Sequence, residues 1–100
     1  MSPIYACVAC DALFEPVRVD ALSCSATCRV RAHRNGSADA LRRLAADFKV
    51  PPHLIREAVA VTRLVPSAAA RVMSGELELK QARPLVRKAY LELLFAEAAR

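Results

Sequence analysis

Residues 24–34 read CSATCRVRAHR, two cysteines four positions apart followed at once by a run of bases. Ser25 suits an N-cap, with its hydroxyl placed to accept from the backbone N–H three residues on. A helix opening there puts Cys28 in its first turn, where the helix dipole favours a thiolate. The same helix then carries Arg29, Arg31 and Arg34. Cysteine chemistry and positive charge are thus predicted on one short element, and each needs a partner elsewhere.

The cysteines find theirs upstream. Cys7 and Cys10 precede Cys24 and Cys28 with the spacing C-x2-C-x13-C-x3-C. Two close pairs on separated segments offer the four soft ligands of a tetrahedral zinc site. Four thiolates leave no open coordination position, so one structural ion is predicted rather than a catalytic one. His33 then reads as a surface residue. The stretch YACVACDALFEP suits a tight knuckle leading into a hairpin, and Val17 and Val19, alternating with Arg18 and Asp20, predict its second strand. Two disulfides or four free thiols are the alternatives. The opening MSPIYACVACDALFEP has neither a basic leader region nor a long apolar one. No apolar run approaches the ~20 residues that span a bilayer. A cytoplasmic protein without membrane partners is therefore predicted. Thiols stay reduced there, which favours metal over disulfides.

The segment CVACDALFEPVRVDALSCSATCRVRAHR resembles the treble-clef zinc fingers of bacterial and mobile-element proteins. Cys7, Cys10, Phe14, Cys24, Ser25, Cys28, Arg29, Ala32 and Arg34 match their pattern. Most members have Gly after the second cysteine, where this chain has Asp11.

The remainder reads as helices. Hydrophobic residues make up 55% of the 100, many of them alanine, with two glycines and no tryptophan. The net charge of +5 points to an acidic partner. Asn35-Gly36 mark a break, so a zinc finger is expected over residues 1–36 and a helical domain over 37–100. Ser37 is placed to cap a helix through SADALRRLAADF, which should stop before Pro51. Pro51 or Pro52 then suits the first turn of a second helix, PPHLIREAVAVTRL.

Two helices joined by about three residues describe a helix-turn-helix. On the second, Leu54, Ile55, Ala58, Val59, Thr62 and Val65 form an apolar face. His53, Arg56, Glu57, Ala60 and Arg63 form the opposite one, expected to meet base edges in a major groove. A pair of plain amphipathic helices with a solvated polar face is the alternative. The segment from Leu44 to Val86 is similar to helix-turn-helix segments of ParB-like and phage or plasmid DNA-binding proteins. Leu44, Ala45, Phe48, Val50, Ala58, Val61, Pro66, Gly75 and Ala82 are among its matches. Lys49 stands where the turn usually has Gly, which makes a left-handed backbone costlier, and Pro51 replaces the usual Ser cap.

Pro66 opens a short helix, PSAAARVM, and Gly75 ends it. A long helix follows from about Glu76, kinked at Pro84 unless it effectively begins near Arg83. Leu79, Ala82, Val86, Ala89, Leu93 and Ala96 form a heptad-like seam, which serves either a two-fold homodimer or burial in the monomer. Arg83, Arg87 and Lys88 form a basic patch, solvated or facing phosphate.

The expected fold is therefore mainly α, a treble-clef-like zinc-stabilised hairpin and helix followed by a helix-turn-helix bundle. The expected function is sequence-specific binding of double-stranded DNA, as a small transcriptional regulator or partition-type accessory factor of a bacterial mobile element. His53, Arg56, Glu57 and Arg63 would read bases, while Arg29, Arg31 and Arg34 would hold phosphates. The alternative is an adaptor that docks a protein through the apolar C-terminal helix. No Ser/His/Asp or Cys/His arrangement, phosphate-cradling Gly loop or open metal site is apparent, so neither an enzyme nor a small-molecule substrate is expected.

Overall fold

The N-terminal hairpin is shorter and earlier than the alternation at Val17–Asp20 implies. In the computed structural model, which describes residues 2–99, β1 (Tyr5–Ala6) pairs antiparallel with β2 (Leu13–Phe14), Tyr5 opposite Phe14. Val17 and Val19 lie in an exposed loop instead. The reason lies in the C-x2-C reversal, which returns the chain beside β1 by Leu13 and ends the pairing before Pro16. The loop is still tied down, because the Tyr5 hydroxyl donates to the Val19 carbonyl at 2.8 Å.

Five helices follow: α1 (Ala26–Arg34), α2 (Ser37–Phe48), α3 (Pro52–Leu64), α4 (Pro66–Met73) and α5 (Leu79–Ala98). Ser25 caps α1 as its chemistry requires, accepting from the Cys28 N–H at 3.1 Å. Ser37 does not cap α2; it is the first helical residue. The sharp reversal out of α1 uses Gly36 at φ 79°, and the Asn35 side chain accepts from the Ser37 N–H at 2.9 Å. Lys49 takes φ 58° and closes α2 in a Schellman turn, its N–H donating to Ala46 while Val50 N–H donates to Ala45. Pro52 and Pro66 each occupy a first helical position, where no N–H is needed. Glu78 and Gln81 make a reciprocal capping box at the start of α5, which continues through Pro84 rather than beginning near Arg83.

α3 is the hub, packing against β1, α2, α4 and α5. Its Ala60 and Val61 join Ile4, Ala68, Ala69, Ala82 and Val86 in the core. Four alanines at this centre let the helices approach closely. The two segments on either side of Gly36 share the core, since Ile4 belongs to it.

This arrangement corrects the expected orientation of α3. The face carrying Arg56, Glu57 and Ala60 is turned inward, with Glu57 and Ala60 buried, while Ala58 and Thr62 of the expected packing face are exposed. The hairpin is what covers it, supplying carbonyls and a carboxylate that polar groups on a buried face require. The patch at Arg83, Arg87 and Lys88 is also corrected. Arg83 is spent on Glu57 and Arg87 on Glu15, leaving Lys88 exposed.

Candidate metal centre and nucleic-acid interface

The first knuckle is a reversal over residues 7–12. Cys7 N–H donates to the Ala12 carbonyl at 2.9 Å, and Asp11 N–H to the Cys7 carbonyl at 3.0 Å. Asp11 sits at φ 59°, the left-handed position that glycine fills more cheaply. The second knuckle approaches through Val8 N–H to Leu22 O at 2.9 Å. The Cys7 sulfur accepts N–H groups from both Ala9 and Cys24, each at 3.4 Å. Capping by Ser25 fixes Cys28 at the opening of α1.

The four sulfurs of Cys7, Cys10, Cys24 and Cys28 lie within 4.8 Å of one another, and no disulfide joins them. Cys10 to Cys24 and Cys24 to Cys28 are each 3.7 Å. A tetrahedron with metal–sulfur bonds near 2.3 Å has edges of about 3.8 Å, so these separations suit a single four-sulfur ion. Electrostatics agree. Burial pushes the Cys7 thiol up, but N–H donors from Cys10, Cys24 and Ala9 outweigh it and hold the group at about 7. Cys24 is pushed up to about 12, by burial first and then by the sulfurs around it. Sulfurs this close cannot all ionise unless a cation sits among them. Four sulfurs from the protein would fill a tetrahedral ion's coordination shell, leaving no position for water or substrate.

The residues expected to touch DNA divide into two groups. Arg29, Arg31 and Arg34 are exposed on α1. The α3 residues are occupied. Arg56 Nε donates to the Ala6 carbonyl at 2.6 Å, and its Nη2 to the Cys7 carbonyl at 3.0 Å and the Asp11 carboxylate at 2.5 Å. Arg63 donates to the Asp11 carbonyl. Glu57, 1% exposed, takes a two-pronged bond from Arg83 at 2.7 and 3.0 Å. That bond raises the Arg83 guanidinium above its ordinary range. His53 stacks on Tyr5, ring centroids 6.0 Å apart. The Tyr5 phenol is itself raised, by burial and then by the Glu57 charge. Sequence reasoning misses Asp11 and Arg83 as structural partners. Their only signal is opposite charge, and it gives no hint of which distant residue each meets.

Charge is distributed unevenly. Residues 26–49 carry six bases, Arg29, Arg31, Arg34, Arg42, Arg43 and Lys49, against two acids, Asp39 and Asp47. All six bases are exposed, and only Arg42 has an acidic partner among the described residues, Asp39 at 3.5 Å. Elsewhere most bases are matched: Arg18 with Asp20, Arg56 with Asp11, Arg71 with Glu76, Lys80 with Glu78, Arg83 with Glu57 and Arg87 with Glu15. Arg29, His33, Arg34 and Arg42 line one shallow groove between α1 and α2. Among the described residues no helix is long and apolar enough to cross a membrane. Together the fold and site define a small mainly-α protein with a two-stranded hairpin, a metal-competent cysteine cluster and a pair of helices, α1 and α2, rich in exposed bases. Comparison with family models, curated proteins and solved structures returned no match.

Proposed function

We propose that the chain is a zinc-stapled nucleic-acid-binding module that meets double-stranded DNA through phosphate contacts from α1 and α2. The observation that carries this reading is the concentration of exposed, unmatched bases on those two helices, beside matched charges over most of the molecule. A duplex is a dense line of negative charge, and such a face exchanges its counterions for phosphates. Arg31, His33 and Arg34 also lie in the last turn of α1 and offset its dipole. That local role accounts for one helix end but not for Arg42 and Arg43 on α2. Zinc is the favoured ion because four thiolates in a closed tetrahedron suit it best. The metal orders α1, and α1 presents the charge. The resemblance to treble-clef fingers and to ParB-like segments supports a role among regulators or partition-type factors of bacterial mobile elements, in a cytoplasm that keeps thiols reduced.

A salt titration of duplex binding tests this. Affinity should fall steeply with salt. Replacing Arg29, Arg31, Arg34 and Arg43 by Ala should flatten the slope by about 0.9 for each phosphate that is no longer neutralised. A slope unchanged by these four substitutions contradicts the proposal.

A second reading has its own observation. Residues 91–99 of the chain are all exposed, with Leu91, Leu93, Leu94 and Phe95 among them. A helix end that apolar suits an adaptor or a homodimer. Binding by that surface would show little dependence on salt, which separates it from the first reading.

A further inference from the structure

A link between the cysteine cluster and α3 runs through one side chain that is not among the candidate ligands. Arg56 stands on the second turn of α3, with its side chain only 14% exposed. Its guanidinium spans the knuckle, bonding the carbonyls of Ala6 and Cys7 and the carboxylate of Asp11. Those three acceptors come together only when the chain has turned back at Cys10-Asp11. Arg63, two turns along the same helix, takes the Asp11 carbonyl. Asp11 therefore serves α3 with both its side chain and its backbone, from a left-handed position where an ordinary side chain is disfavoured. A glycine there would relax the turn but would remove the carboxylate.

We propose that Arg56 is a positioning residue of the metal centre, and that through Asp11 it couples metal loading to the packing of the knuckle on α3. This rests on the metal reading above. Cys7 and Cys10 flank the segment that Arg56 grips, so the geometry Arg56 favours is the one that brings their sulfurs toward Cys24 and Cys28. The coupling is reciprocal. Metal that holds the knuckle closed presents Ala6, Cys7 and Asp11 to Arg56. Arg56, by holding those acceptors, lowers the ordering needed before the ion can bind. Partners just outside a metal's ligands commonly tune affinity by about 10–100-fold. A forked, charge-assisted contact of this kind belongs in that range.

The test is a competition titration of the full chain against a chelator of known affinity, using cobalt(II) as the probe and its thiolate charge-transfer absorption as the signal. Wild type should give that absorption with four sulfurs bound. Arg56→Ala should bind cobalt about 10–100-fold more weakly. Arg56→Lys should recover little, because one ammonium cannot reproduce the fork. Asp11→Asn, which keeps size and tolerates the left-handed turn, should lose affinity by a smaller factor; it keeps the proposal testable if Arg56→Ala does not fold. Arg71→Ala, on α4 and paired with exposed Glu76, should bind as wild type does. Equal cobalt affinity in wild type, Arg56→Lys and Asp11→Asn, with far-UV helicity intact, would overturn the proposal, since Arg56 would then serve packing alone. A wild-type chain without the charge-transfer band overturns the metal reading itself, and the positioning role with it.

Discussion

Removing the ion proposed for the four sulfurs should cost this protein most of its cooperative stability. Structural zinc contributes about 10–16 kcal/mol apparent in small fingers, while a domain's whole stability is about 5–15 kcal/mol. The hairpin has only two residues per strand, too few to persist alone. Its Ile4 is nevertheless part of the bundle core, so loss of the knuckle opens that core. With a chelator present, the thermal midpoint should fall by roughly 20 °C or more, given that 1 kcal/mol moves a domain of this size by about 4–8 °C. Near-UV circular dichroism reports the hairpin through Tyr5, beside a contribution from Tyr90 on the bundle core that Tyr90→Phe removes. The chain has no tryptophan, and Tyr5 is fully buried against Phe14 and His53. Its signal should vanish on chelation, whereas part of the helical far-UV signal survives. Protons compete with metal for the thiolates, so chelation should become easier as pH falls. A thermal midpoint and tyrosine signal indifferent to chelator would mean that the sulfurs hold no stabilising ion.

The second large effect lies away from the cysteines. Glu57 is the one buried charged residue among those described, and Arg83 is its partner across α3 and α5. Arg83→Ala leaves a carboxylate inside the protein with no counter-charge, a change that costs about 3–5 kcal/mol. Glu57→Ala should cost less, because the Arg83 side chain is 27% exposed and can turn to water. Replacing both by apolar residues of similar size should be near neutral or stabilising. Denaturant midpoints of the two singles and the double give the coupling directly. Additive losses, with the double as poor as the singles together, would show that the pair does not act as a unit.

Chemistry is legible in the sequence where it is local. Ser25, the Pro51-Pro52 pair and Pro66 mark helix starts through caps and fixed dihedrals, and the structure settles the pair in favour of Pro52 as the first helical residue. The cysteine cluster follows from spacing, because ligands in close pairs need only one long-range approach to assemble. Two features are not legible. The second strand falls at Leu13–Phe14 because the knuckle sets the register, overriding the alternation at Val17 and Val19. The inward face of α3 escapes detection because what covers it lies about 50 positions away in the chain: Arg56 meets Ala6 and Arg63 meets Asp11. Periodicity distinguishes apolar from polar faces. It cannot distinguish a polar face offered to solvent from one whose groups are satisfied by a distant hairpin and by another helix.

That distinction decides how nucleic acid would be met. With Glu57 buried, Arg56 largely buried and the exposed Arg63 bonded to the Asp11 carbonyl, the unpaired charge left for a duplex lies mainly on α1 and α2. The most direct measurement is a titration of the metal-loaded protein with a short DNA duplex at low salt, followed by backbone amide shifts. The account predicts the largest changes at Arg29, Arg31, Arg34 and Arg43, with the amides of His53–Arg63 nearly still. Dominant shifts along His53–Arg63, or none on α1 and α2, would contradict it.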